Sequence, residues 1–557
     1  MGSYAAPRYE YVIPPELRGS PGARRPVVVV GAGPVGLAAA IDLAIHGIPC
    51  LVLDDNDTVS VGSRAICWAK RTLEIFDRLG VGDRMVAKGV TWQRGRVHRG
   101  DEEIYSFDLL PEGGHKMPAF INLQQYYVEE YLVERARDFP DLLELRWRNE
   151  VTGVSARGDG VVLEVATPDG SYRIEADWVL AADGANSALR RMLGLPFEGQ
   201  AFEERFLIAD VRMRAPFPNE RLFWFRPSFH PGQSALLHRQ PDDVFRIDFQ
   251  LGPEADPVLE RQPQRVIPRV RAVVGESTPF ELEWCSVYAF RCARLERFVH
   301  GRVVFVGDSA HVVSPFGARG GNGGIQDVDN LCWKLARVVQ GRAPESLVAT
   351  YDGERRHGAD ENILNSSRTT SFMTPKTKVE HLFRDAVLDL APRAAFARAL
   401  VNAGRLSRPC TLAGHVLQTP DAAPWDGPAP GTVCPDAPIL DEAGRPGWLL
   451  NRLGGDFALL VFAEDAAELA AMAARASCLG PPLVAIAPRS LQAPEGIVVL
   501  ADPDGLARVR YAAEPGTTYL IRPDQHVAAR FKSFDPGGIA LALERAGGGV
   551  RPVRAAA

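Results

Sequence analysis

Gly31-Ala32-Gly33-Pro34-Val35-Gly36 follows the β-branched run Val27 to Val30 and opens an alanine-rich helical pattern that ends at Gly47. Glycines so spaced allow a tight turn, bring backbone N–H groups against a pyrophosphate and let the helix pack on the strand, while the helix N-terminus favours the negative charge. A second short strand, Cys50 to Leu53, closes in Asp54, where a carboxylate can accept hydrogen bonds from an adenosine ribose. Strand, glycine turn, helix and acid together point to a bound dinucleotide; a bare glycine turn would need only the glycines. Two later strands, Trp178 to Ala181 and Val303 to Val306, run into Asp183-Gly184 and Gly307-Asp308. Taken singly, each of these is also an ordinary capped turn.

These motifs need an α/β scaffold, and the chain has room for one. Its 557 residues predict two or three domains, and 46% hydrophobic with 24% charged residues is an ordinary globular composition. A net charge of −6 offers no broad attraction for nucleic acid. Eight cysteines without a C-x-x-C pair suggest reduced thiols, and no metal site is readable. The polar, Pro-rich N-terminus does not read as a secretory signal, and the longest apolar stretch is broken by glycines, Asp42, His46 and Pro49. A cytoplasmic protein with no membrane span is therefore expected.

Between the second and third motifs the texture changes. Arg205 to Arg214 and Ala235 to Gln250 alternate apolar and polar residues, as strands of a sheet with unlike faces do. They predict a second, sheet-based domain inserted into the first. Ile325, Val328, Leu331, Leu335 and Val339 fall at helical spacing, and helical patterns continue to about Leu406. Six prolines between Pro420 and Pro438 then mark an extended linker. Beyond it, Phe457 to Phe462, Leu483 to Ile486, Gly496 to Leu500 and Thr518 to Ile521 read as strands of a small α/β unit. The expected boundaries are 24–200 and 291–408 for the two parts of the nucleotide domain, 201–290 for the inserted sheet, 409–438 for the linker and 439–557 for the last domain.

The three motifs, in this order, resemble the FAD-binding pattern of class A flavoprotein monooxygenases, the aromatic hydroxylases that include para-hydroxybenzoate, phenol and 3-(3-hydroxyphenyl)propionate hydroxylases. The resemblance runs from about Val27 to Arg356. It implies a Rossmann-like FAD-binding domain, NAD(P)H as a transient cosubstrate, O2, and delivery of one oxygen atom to a phenol through a flavin hydroperoxide. It also assigns roles. Asp308 resembles the carboxylate on the ribityl chain, and Asp183 lies in the motif used near FAD and the nicotinamide. Arg64 is similar to the Arg that reaches the phosphates, though a solvated Arg is the plain alternative. Gln125, four before Glu129, matches an FAD-contacting Gln, with Gln124 open as a second candidate. Val151 resembles the position whose backbone meets the adenine. The run Ser314-Pro315-Phe316-Gly317-Ala318-Arg319-Gly320-Gly321-Asn322 resembles the flavin-edge loop, with Ser314 where the family usually has a first proline; Pro315, Gly320, Gly321 and Asn322 are its candidate flavin neighbours.

The inserted sheet should supply the substrate face. Arg246 could pair with a substrate carboxylate or phenol, and His238 could take a phenol proton, but strand alternation equally allows an outward Arg. His311 reads more readily as a structural partner than as an acid or base. The last domain resembles the thioredoxin-like module of phenol hydroxylase relatives. Without paired thiols it is expected to be structural and to support a homodimer. A flavin dehydrogenase or reductase, or a non-catalytic FAD scaffold, stays open as another reading.

Overall fold

The computed structural model describes residues 4–19, 22–62, 65–401, 406–492 and 495–549. The run Arg25–Val30 forms β1, and the glycine turn leads into α1, Pro34–Ile45. Proline at the first helical position costs no hydrogen bond there, and its fixed φ suits the helix. Every residue of α1 from Gly36 to Ala44 is buried, which explains why small alanines fill it. Strands β2 (Cys50–Asp54), β3 (Leu143–Trp147) and β4 (Gly170–Ala181) join β1 in a parallel core ordered β4-β1-β2-β3, with Val303–Phe305 added in parallel beside β4. Strands with both faces covered are continuous apolar runs, as Val27 to Val30 are.

The inserted sheet contains β5 (Glu198–Met213), β6 (Arg221–Phe225), β7 (Ser234–Arg239), β8 (Val244–Gln250) and β9 (Phe280–Arg294), ordered β9-β5-β8-β7-β6 and antiparallel throughout. Arg94–Arg99, parallel to β6, and Glu102–Asp108 extend it past β6. One face packs Leu207, Ala209, Val211, Phe245, Ile247 and Phe249 into an apolar core. The period of two therefore puts Asp210, Arg246 and Asp248 on the other face.

Helix α2 spans Gly320–Val339, so it begins before Ile325, where apolar periodicity starts. The glycines are its first turn rather than a loop before it: Gly323 N–H already donates to Arg319 O at 2.7 Å, and the Asn322 side chain ties the turn to neighbouring backbone. Helix α3, Ser346–Met373, packs beside it. Two shorter helices, Lys378–Leu390 and Ala395–Val401, follow. Residues 409–438 run through turns and are almost free of regular structure, but they are tied down along their length. Leu412 N–H donates to Gly431 O, Thr419 N–H to Ala528 O and Cys434 N–H to Gln525 O.

The last sheet holds β10 (Ala458–Phe462), β11 (Leu483–Ala487), β12 (Val498–Ala501), β13 (Thr518–Ile521) and β14 (Val527–Phe531), ordered β12-β11-β10-β13-β14. The first three are parallel and the last two antiparallel. Among the described residues, no helix is long and apolar enough to cross a membrane.

Candidate functional site

The glycine turn is closed so tightly that side chains have no place in it. Gly31 has φ +107°, and a Cβ there would stand 2.5 Å from Ala182 O. A Cβ on Gly36 would stand 1.9 Å from Gly31 O. Around Gly33 the space is open, as a turn that faces a ligand requires. Val35, next to Pro34, packs against Gly307 and Gly324, so the first glycine turn, the Asp308 turn and the start of α2 meet at one side chain. Asp54 accepts from Ala32 N–H at 2.5 Å and from Asn56 N–H at 2.9 Å, which locks the β2 end to the glycine turn. Burial raises its pKa; Oδ1 also accepts from Asn56 Nδ2 at 3.2 Å, so Oδ2 is the oxygen that keeps a lone pair for a ribose hydroxyl.

Asp183 is placed at the same end of the sheet. Its Oδ2 accepts from Leu189 N–H at 3.0 Å, while Oδ1 is buried with no hydrogen-bond partner. An orphaned carboxylate oxygen is costly and marks a place where a polar ligand is missing. Ser187 caps the short helix that follows, and Arg190 reaches across to Ala185 O (2.6 Å) and Ser309 O (2.9 Å), clamping the second motif to the third. Asp308 is exposed although its neighbours Gly307 and Ser309 are buried. It lies beside α2's first turn, 3.9 Å from where a Gly320 Cβ would be. His311 sits behind this turn, bonded to Asp327 at 2.7 Å; Arg355 holds the other oxygen of Asp327 at 2.7 Å. His311 is thus a positioning partner for the turn.

Gln125 accepts from Ala65 N–H (3.1 Å) and donates to Ser60 Oγ and Glu129, so it is built into the loop that leads to Arg64. Ser63 and Arg64 themselves lie outside the described residues. Gln124 turns the other way and donates to Pro241 O at 3.3 Å. Val151 is buried, paired with Val165. Asn322 spends its side chain on Ala69 N–H (2.9 Å), Cys67 O (2.9 Å) and Ala318 O (2.6 Å), so what it can offer a cofactor is its backbone. A Cβ on Gly321 would meet Trp68 at 3.3 Å. Pro315 is exposed, on a loop anchored by buried Ser314, whose hydroxyl shares a 2.9 Å hydrogen bond with Thr370 of α3.

A pocket opens beside this loop. Phe107, Phe223, Phe225 and Phe316 wall it, and Arg96, Arg221 and Arg319 bring positive charge to it. His238 and Arg246 are on the neighbouring part of the same sheet face, paired across β7 and β8. Arg246 is gripped by Asp210 through two 2.8 Å bonds, Nε to Oδ1 and Nη2 to Oδ2. Its carboxylate partner is therefore a protein group. Burial and the guanidiniums of Arg221 and Arg246 hold His238 neutral, its pKa well below the usual histidine range.

The sequence reading passed over Arg221, Asp210 and Asp248. The signal was present: Asp248 is two residues from Arg246 and Arg221 two from Phe223, the spacing that shares a strand face.

Closed glycine turn, orphaned Asp183 oxygen and exposed Asp308 fit an adenine dinucleotide with its flavin beside α2. Comparison with known proteins agrees. The FAD binding domain family matches residues 24–366, and the HcaD C-terminal domain matches 431–546. A 6-methylpretetramide 4-monooxygenase of Streptomyces rimosus is 30% identical over 93% of this chain and 92% of its own. A 3-(3-hydroxy-phenyl)propionate/3-hydroxycinnamic acid hydroxylase of Burkholderia cenocepacia is 27% identical over 94% and 96%. The flavin-dependent monooxygenase PieE, solved with FAD and substrate, shares the fold with a TM-score of 0.79 at 22% identity, over 95% of this chain and 99% of that one. Since the match covers more than half its length, this chain belongs to the FAD binding domain family.

Proposed function

We propose that this chain uses FAD and NAD(P)H to hydroxylate an aromatic substrate with molecular oxygen. The observation that carries the reading is continuity: Phe316, Gly317 and Arg319 line the aromatic pocket and run directly into the first turn of α2. The monooxygenase and hydroxylase names of the two relatives support it. FAD, when bound, supplies the hydride-accepting and oxygen-activating chemistry. The residues of this chain bind, orient and shield. N–H groups from Gly31 to Gly36 would hold the pyrophosphate, and Asp54 the adenosine ribose. Arg64, Gln125, Val151, Asp183 and Asp308 would hold the rest of the cofactor. The N-terminal turn Gly320, Gly321 and Asn322 places helix-end N–H groups where negative charge is stabilised. Pro315 and Phe316 would exclude water above the ring system. His238 and Arg246 would shape the polar end of the substrate site.

The domain reading keeps 24–200 with 291–408 for FAD, 201–290 for substrate, and residues from 439 onward as a thioredoxin-like module that supports a homodimer in the cytoplasm. The test is NADH and NADPH consumption in air by the flavin-loaded protein. Single-ring phenols, phenolic acids and fused-ring phenols would be supplied, with mass analysis for one added oxygen. One compound that accelerates consumption and gains one oxygen supports the reading. Consumption indifferent to every aromatic and yielding only peroxide replaces it with a reductase.

A further inference from the structure

The three arginines of the pocket are not equivalent. Arg96 is held by Glu220 and by Glu103 at 2.9 Å. Arg319 donates to Asn362 at 3.1 Å. For Arg221 no hydrogen bond or ion pair occurs among the described residues. Burial pulls its pKa down, and the groups that pull it back are the Cys67 thiol and Asp248. Its half-buried guanidinium lines the pocket without an acceptor from the protein, as a group that would pair with an arriving anion does.

Asp248 stands on the same sheet face, one row along from the His238–Arg246–Asp210 row. It makes no hydrogen bond among the described residues, and its Oδ1 is buried. Buried His238, beside it on the face, leaves Nδ1 unpartnered, as buried Gln240 leaves Oε1. These orphaned polar atoms lie on the sheet face shared by Arg221, which itself lines the pocket.

We propose that Arg221 anchors the substrate as an oxyanion and that Asp248 takes the proton the substrate gives up. In this step the substrate O–H bond breaks, its electron pair stays on oxygen against the Arg221 guanidinium, and an O–H bond forms on the Asp248 carboxylate. No electrons are exchanged. The proposal rests on the hydroxylase reading and narrows its substrate class.

Two observations set that class. Burial pushes the Asp248 carboxyl to about 6; Arg246 and Arg221 pull it down, and Asp210 pushes it up. Those three groups and Cys67, whose thiol burial raises to about 11, are the titratable and charged groups that act with it. His238 is too weak a base to compete. An adjacent cation lowers an acid's pKa by roughly 1–3 units, so a plain phenol, near 10 in water, would stay mostly protonated against such a carboxylate. A hydroxyl acidified by a conjugated carbonyl or nitro group would ionise. The site therefore selects an acidified phenol or enol.

The test uses flavin-loaded protein and three probes of similar size: 4-nitrophenol, whose phenol and phenolate absorb at different wavelengths, its methyl ether 4-nitroanisole, and 4-methylphenol. Difference spectra should show 4-nitrophenol bound as phenolate, at least tenfold tighter than the other two. Arg221→Gln should remove that preference and return the bound probe to its neutral spectrum, and Arg221→Lys should restore part of it. Titration of 4-nitrophenol below its own pKa, followed with an indicator dye, should release no proton from wild type and about one from Asp248→Asn. A neutral probe on wild type, equal affinity for 4-nitroanisole, or an Arg221→Gln variant that still binds phenolate overturns the proposal. Phenolate binding that depends on Arg221 in a protein that hydroxylates nothing leaves the anchor standing and removes the hydroxylase reading instead.

Discussion

At its first turn α2 carries Gly320, Gly321 and Asn322 beside exposed Asp308; farther along it carries Asp329, Asn330, Trp333 and Lys334, every one buried. There Asp329 binds Arg71 at 2.8 Å and Arg78 at 2.5 Å. Glu354 of α3 receives Lys334 at 2.7 Å, Asn330 at 2.7 Å and Arg522 at 2.7 Å, and Arg522 also pairs with Asp524. Arg522 and Asp524 come from the last sheet, at the turn between β13 and β14. One end of the helix thus meets a cleft where Asp183 keeps a buried oxygen without a partner among the described residues, and the other is sealed by a charge network whose partners are all protein. Open groups make a site that waits for ligands. Saturated ones fix the last domain against the helix that faces the cofactor.

The largest break in that contrast is Glu354→Ala. It leaves Lys334 buried without a carboxylate and Arg522 with Asp524 alone, which costs about 3–5 kcal/mol. Denaturant unfolding should show the loss, with flavin released along with it. Unchanged stability would mean that Asp524 and hydration suffice for these cations without Glu354. The same network resists acid. The partners hold the Glu354 and Asp524 carboxyls well below the usual range, so their stabilisation is present above ordinary carboxylate pKa values and is lost only as pH falls far below them.

Gly36→Ala strikes the open end. Its Cβ would collide with Gly31 O, and displacing the turn should cost about 1–3 kcal/mol, read as roughly tenfold or greater loss of FAD on gel filtration. Circular dichroism should still report a folded chain, because the sealed end is untouched. A folded variant with full flavin would remove the glycine turn from the site.

Much of this was legible in the residues alone, and the division between what was and was not is physical. Val27 to Val30, the glycine turn and Asp54 are neighbours in sequence, so their geometry is local and their spacing reports it. The apolar spacing from Ile325 found α2 but not its start, because glycines carry no periodicity and the first turn is held by Asn322, Cys67 and Ala69. Arg246 and Asp210 meet only through the register of β5 on β8, which no spacing reveals. The proline-rich stretch reads as an extended linker, whereas in the fold it runs through turns and comes back on itself, Leu412 N–H meeting Gly431 O. What composition hides is that its backbone hydrogen bonds go to the last domain.

Asp248→Asn tests the open end from the opposite side, by relieving it. The raised carboxyl of Asp248 means that the folded chain binds more protons than the unfolded one between about pH 4 and 6, so wild-type stability falls as pH rises through that window. The asparagine removes this slope. Above pH 6 the variant should be more stable by about 1–2 kcal/mol, a figure kept below the full shift because the side chain is half-buried. Thermal unfolding at about pH 3.5 and about pH 7.5, on either side of the window, should separate the two proteins only at the higher value. An equal gain at both would trace it to packing rather than charge.

Ser314→Ala should have the smallest effect, and it asks which of the two ends holds the loop over the pocket. Thr370 Oγ1 lies 2.8 Å from Ser366 O as well as 2.9 Å from Ser314 Oγ. A hydroxyl has one proton; if Thr370 gives it to the carbonyl, Ser314 is the donor to Thr370. Alanine then removes one buried hydrogen bond and leaves Thr370 satisfied, a loss of about 0.5–1.5 kcal/mol. Pro315 and Phe316 follow immediately, so the loop that should exclude water loses its tie to α3 while Arg319 keeps its own to Asn362. The peroxide formed per NAD(P)H consumed should rise about twofold, with the flavin content unchanged. If stability drops and the peroxide fraction does not move, the loop is positioned by Arg319 and the start of α2, and the tie at Ser314 belongs with the sealed, structural half of the molecule.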